Sequence, residues 1–190
     1  MTKESLFKAL GLFIEAFRPY IVSKLTEQAG DKWDKWFYEA LSDAQKENWD
    51  LGIGNGTPPV NLIDFHHLKS FAIKYKELLK PDFGKDTSKL PTWLQEIADV
   101  RHKCNHFQEV EERDMRRAFD NMVDIANILK LKELKVEIER LQKGEINETV
   151  VHETIAAYGL VPWFKNVIPH LDIRQGNLDE SVFAANLAEV

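Results

Sequence analysis

A chain of 190 residues with 44% hydrophobic and 29% charged side chains is long enough for one buried core and too apolar to be intrinsically disordered. Its net charge of −6 argues against a protein that coats nucleic acid through bulk basicity, while leaving room for a local phosphate site. One cysteine, Cys104, excludes an internal disulfide and fits a reducing cytoplasm, and there is no run of about 18 apolar residues to span a membrane.

Apolar residues recur at helical spacing almost throughout. Leu6, Leu10, Phe13, Ile14, Phe17, Ile21 and Leu25 form the stripe of a first amphipathic helix, which Pro19 is expected to kink or split. Gly30 and Asp31 read as a stop and a cap, after which Trp33, Trp36, Phe37 and Leu41 predict a second helix. The run from Leu51 to Pro59, rich in glycine and closed by two prolines, reads as a loop. A third helix is expected over residues 61–79, ended by Pro81 and Gly84. Ser88 is the predicted cap of a fourth helix, with Pro91 in its first turn and Trp93, Leu94, Ile97, Ala98, Val100 and Cys104 along it. Glu109, Glu111, Glu112 and Asp114 place negative charge at the start of a fifth, where the helix dipole favours it. Its core face is Met115, Phe119, Met122, Val123, Ala126 and Leu129, and the pattern runs on towards Gly144.

Beyond Gly144 the character changes. Residues 149–158 suit one short helix, and residues 160–190, with Pro162, Pro169 and Gly176, suit an extended, wrapped segment. The last helical pattern, from Phe183 to Val190, stops without a cap, so the chain is expected to be the N-terminal part of a longer protein. The expected organisation is therefore all-α: a bundle of about five helices over residues 1–143, then a linker and the start of a following module over 144–190.

The fourth predicted helix carries the chemistry. In Asp99-Val-Arg-His-Lys-Cys-Asn-His-Phe107, an obligate cation, Arg101, precedes by five positions a side chain that titrates near neutral pH, His106. Such a pair suffices to cleave RNA through its own 2′-hydroxyl, with no metal and no cofactor. Arg101 holds the scissile phosphate and stabilises its developing charge. His106 acts as general base on the 2′-hydroxyl or general acid on the leaving 5′-oxygen, and His102 or Asn105 positions one of them. DNA lacks the attacking hydroxyl and is not cut, and the products end in a 2′,3′-cyclic phosphate. Five residues on an ideal helix advance about 7.5 Å and turn about 140° beyond a full circle, so Arg101 and His106 do not share a face. Helix fraying near His106, or two copies of the motif facing one another across a two-fold dimer, would close that gap. Lys103, Arg113, Arg116 and Arg117 are the candidate RNA contacts, against the plainer reading of solvated surface charges.

Short motifs also arise by chance. In the plainer reading Arg101 pairs with Asp99, Glu96 or Glu109, and His106 caps a helix end. A zinc site on His102 and His106 lacks the Glu of H-E-x-x-H and a convincing set of four ligands. His66 and His67, adjacent on a helix, diverge into one core-edge and one surface histidine. An exposed motif facing a dimer mate would mark an enzyme, and an Arg101 spent in an internal ion pair would mark a non-catalytic module.

Arg101, His102 and His106, on the penultimate long helix of an all-α domain, resemble the motif of the HEPN superfamily (higher eukaryotes and prokaryotes nucleotide-binding). The following Asp114-Met-Arg-Arg-Ala-Phe-Asp-Asn-Met122, together with Ala9 to Phe13, Arg18-Pro-Tyr20 and Gly30-Asp-Lys-Trp33, is similar to one branch. That branch is named after a nuclear endoribonuclease of messenger-RNA quality control. Its usual form has Asn after the Arg and an aromatic-Ala pair before the His, where this chain has His102, Cys104 and Asn105. The segment Pro162-Trp-Phe-Lys-Asn-Val-Ile-Pro-His170, with Asp172, Gly176 and Phe183 to Leu187, resembles the stretch joining such domains to large bacterial ATPases linked to anti-phage defence. The resemblance implies a cytoplasmic, dimeric, metal-independent endoribonuclease acting on single-stranded RNA or transfer RNA, as the effector of an ATPase. The competing implication is a dimerisation or nucleic-acid-sensing module of the same assembly.

Overall fold

The structure, a computed structural model, describes residues 2–106 and 108–144, and among these the chain is helical with no strand. Its helices are α1 (Lys3–Ala29), α2 (Trp33–Glu39), α3 (Asp43–Gly54), α4 (Pro59–Leu62), α5 (Phe65–Lys74), α6 (Lys76–Phe83), α7 (Leu90–Asn105), α8 (Glu112–Ile128) and α9 (Lys132–Gln142). The expected helix over 149–158, the extended segment over 160–190 and the uncapped end lie outside the described residues.

Helix α1 is the spine. Thr2 caps it by accepting from the Ser5 N–H at 3.1 Å, and the whole predicted stripe from Leu6 to Leu25 is buried. Pro19 lies inside this helix and does not split it. The proline removes one backbone hydrogen bond, but Phe17 and Ile21 on either side are sunk in one core and keep the helix continuous. Phe13 stacks on Phe17 and on Phe65 of α5, with ring centroids 5.3 and 6.2 Å apart. Helix α5 packs on α7, α7 on α8, α8 on α9, and α9 returns to α1, so five of the helices close a bundle around one apolar core. Where α9 meets α1, the buried Lys8 Nζ lies 3.5 Å from Glu137, which also accepts from Arg140.

Several boundaries differ from the sequence expectation. Helix α3 occupies residues expected to begin a loop, because Ser42 and Gln45 form a capping box and Trp49 buries against Phe37. It continues through Gly52, and the left-handed turn that ends the segment comes at Gly56 (φ +80°). The single helix expected over 61–79 is three. Ile63 is extended at ψ 115°, and Arg18 of α1 donates from Nε to its carbonyl at 2.8 Å, so α4 ends and Asp64 starts α5 afresh. Ser88 does not cap α7. Its hydroxyl donates to the Lys85 carbonyl within a 3₁₀ turn, and Lys89 stands at the cap, with Pro91 in the first turn as expected. The long fifth helix is broken by Lys130, left-handed at φ +58°, into α8 and α9.

Candidate active site

Helix α7 carries Arg101, His102, Lys103 and Asn105, and His106 is its C-cap residue. The helical turn persists to the end, since the His106 N–H donates to the His102 carbonyl at 3.1 Å. Fraying therefore does not bring His106 towards Arg101, and the two leave the helix on different faces. His102 and His106, one turn apart, do meet: their rings lie 4.3 Å apart and both are exposed.

Arg101 points the other way, towards α5. Its Nη2 donates to Asp64 Oδ2 at 2.8 Å, a partner 37 positions away. With the Asn105 amide oxygen turned towards it, Asn105 accepts from Arg101 Nη1 at 3.1 Å and from Nε at 3.3 Å. Two side chains thus fix the guanidinium while 34% of Arg101 stays exposed. None of the acidic neighbours on or near its own helix that the sequence suggested takes this role. Asp99 accepts from Gln95, and Glu96 holds Arg117 and Asn121 of α8.

Asp64 is the residue that sequence reading missed. Its Oδ1 accepts from the Phe65 N–H at 2.7 Å, and the Asp64 N–H in turn donates to His67 Nδ1 at 3.1 Å, a capping box for α5. His66 Nδ1 stands 3.3 Å from Asp64 Oδ2. Burial pushes the Asp64 carboxyl up, but His66, the Arg101 guanidinium and the Phe65 N–H outweigh it and hold the group down at about 2. The available signal was Asp three positions before His67 at a helix start, which reads as a cap, though nothing local ties it to Arg101. His67 is buried and His66 exposed, as expected, but the two rings do not diverge: their centroids lie 3.8 Å apart.

The candidate RNA contacts all have carboxylate neighbours. Lys103 pairs with Asp114 at 2.9 Å, Arg113 lies near Glu111 and Asp114, Arg116 near Glu112, and Arg117 meets Glu96 at 3.2 Å. A groove of about 390 Å³ runs between α7 and the start of α8, where the carboxylates of Glu96, Asp99 and Asp114 outnumber the cations of Lys103 and Arg117, with His102 among the lining. Cys104 is buried, and burial pushes its thiol up, away from reactivity. Among the described residues no three His, Cys, Asp or Glu side chains gather as a metal site, and no helix is long and apolar enough to cross a membrane.

A bundle of this kind, with an Arg and a His placed five apart at the end of α7, matches a family model over residues 8–130, well over half the chain, and that model describes a Swt1-like HEPN domain. The chain belongs to the Swt1-like HEPN family. No curated protein and no solved structure matches it. The matched span of this HEPN domain runs from within α1 to Lys130, so α9 lies outside it although it packs on α1 and α8.

Proposed function

We propose that this HEPN domain is a metal-independent endoribonuclease that cuts single-stranded RNA or transfer RNA through the 2′-hydroxyl. Arg101 binds the scissile phosphate and His106 transfers a proton. Asn105 positions Arg101, and His102 lies against His106 to orient it. The observation that carries this reading is that the motif stays open: a third of the Arg101 surface is available and His102 and His106 are exposed, although Asp64 and Asn105 hold the guanidinium. A guanidinium held in place before substrate arrives stabilises developing charge without reorganising in the step. Because Arg101 and His106 leave α7 on different faces, the working groove combines two copies of the chain, joined through their motif-bearing helices about a two-fold axis. Lys103, Arg113, Arg116 and Arg117 exchange their carboxylate partners for phosphates when RNA binds. Exposed pairs of this kind are worth only about 0–1 kcal/mol each, so the exchange costs little. The resemblance of residues 162–187 to the joint with defence ATPases supports a place as the cytoplasmic effector of such an assembly. Residues 1–143 then form the cutting domain, and 144–190 lead into the ATPase.

One observation favours a second reading. The Arg101–Asp64 pair is internal to the chain, as expected of a domain that dimerises or senses nucleic acid without cutting it. Labelled single-stranded RNA and transfer RNA, incubated in EDTA with the wild-type chain, Arg101→Ala and His106→Ala, separate the two. Cyclic-phosphate ends made by the wild type and lost in both variants support the enzyme. A folded dimer that leaves RNA intact supports the module, and equal activity in all three proteins refutes the site.

A further inference from the structure

We propose that His66 is the general base of this centre, oriented by Asp64 beside Arg101, an assignment that rests on the ribonuclease reading above. A single carboxylate oxygen, Asp64 Oδ2, has the Arg101 Nη2 at 2.8 Å and the His66 Nδ1 at 3.3 Å. The cation that would hold a phosphate and an imidazole that can move a proton are thus brought together within one chain. His106, by contrast, leaves α7 about 140° around the axis from Arg101. With the proton on Nδ1, the nitrogen that stands 3.3 Å from the carboxylate, His66 carries its free lone pair on Nε2, as a base requires. A carboxylate behind an imidazole fixes its tautomer and stabilises the imidazolium that forms.

The fold does not need His66. The capping box of α5 is complete with Asp64 and His67, and the side chain of His66 is 47% exposed. The charged and titratable groups around it are Asp64, the buried His67 whose ring lies 3.8 Å away, Arg101 of α7, and Arg18 of α1, which feels the Asp64 charge.

In the step, His66 Nε2 takes the proton of the ribose 2′-hydroxyl as O2′ bonds to phosphorus. The P–O5′ bond breaks, and a protonated His106, brought to the same phosphate by the second copy of the chain, gives its proton to O5′. The products are a 2′,3′-cyclic phosphate and a 5′-hydroxyl. No oxidant, metal or water is consumed.

The test compares the full 190-residue chain with His66→Ala, His66→Gln, Asp64→Asn, Arg101→Ala and His106→Ala, using labelled RNA in EDTA across pH 5–9. Both His66 variants should lose about 10²–10⁴-fold in kcat with KM within about threefold. Their thermal midpoints should match the wild type, and the acid limb of kcat/KM should vanish. Asp64→Asn keeps the cap oxygen and should lose less. Cleavage abolished in Arg101→Ala and His106→Ala, but unchanged in rate and pH profile in His66→Ala, overturns the assignment and leaves the ribonuclease reading standing. A wild-type chain that leaves RNA intact overturns both.

Discussion

His67 makes stability depend on pH in a direction that can be worked from its surroundings. It is 3% exposed, edge-on to Phe37 and Trp49, and its Nδ1 is occupied as the acceptor for the Asp64 N–H. A proton on Nδ1 would face that donor and abolish the cap. Burial, joined by the neighbouring His66 and opposed by Asp64, lowers His67 from the ordinary 6.5 to about 4. Unfolded chain therefore takes up a proton below pH 6.5 that the folded chain refuses until about pH 4. Stability is fully present above 6.5 and falls as the pH drops through this window, by about 3 kcal/mol in all at 1.36 kcal/mol per unit. His67→Gln is the matched control, since a Gln at this position of a capping box still accepts from the cap N–H and does not titrate. Urea unfolding followed by helical circular dichroism, at half-unit steps from pH 7.5 to 4, gives the two curves. The difference between wild type and His67→Gln should move by about 3 kcal/mol in favour of the variant as the pH falls. A constant difference across the window would refute the reasoning.

Phe13→Ala should cost about 3–5 kcal/mol in the same urea assay, because the fully buried ring stacks on both Phe17 and Phe65 and its loss leaves a cavity between α1 and α5. Across the α1–α9 contact, Glu137→Ala should cost about 3 kcal/mol by stranding the buried Lys8 charge. Lys8→Met should be close to neutral, since it removes the charge and keeps the packing, and the two urea midpoints should differ accordingly.

The parts of the fold that were legible are those set by neighbours along the chain. The stripe from Leu6 to Leu25, the run from Leu94 to Cys104 and the face from Met115 to Ala126 each repeat at helical spacing, and each is a helix with that face inward. Several boundaries were not legible, for different reasons. Pro19 does not split its helix because burial on both sides of it keeps the chain helical, and Lys130 adopts a left-handed conformation that its side chain does not announce. Residues 61–79 keep an unbroken apolar pattern across Ile63 and Asp64, although a hydrogen bond from Arg18 holds the backbone out of helix there.

The sequence by itself determined an all-α chain and put Arg101, His102, Asn105 and His106 on the last turns of one helix, because periodicity and caps act over a few residues. Only the tertiary structure decided what Arg101 touches. Asp99, Glu96 and Glu109 were the near candidates, yet the partner is Asp64, 37 positions away, with His66 on the same carboxylate oxygen. That pairing depends on where α5 begins and how it lies on α7, and Arg18 of a third helix holds the link that starts it. Contacts at such separation are set by the packing of whole helices, which no local spacing encodes.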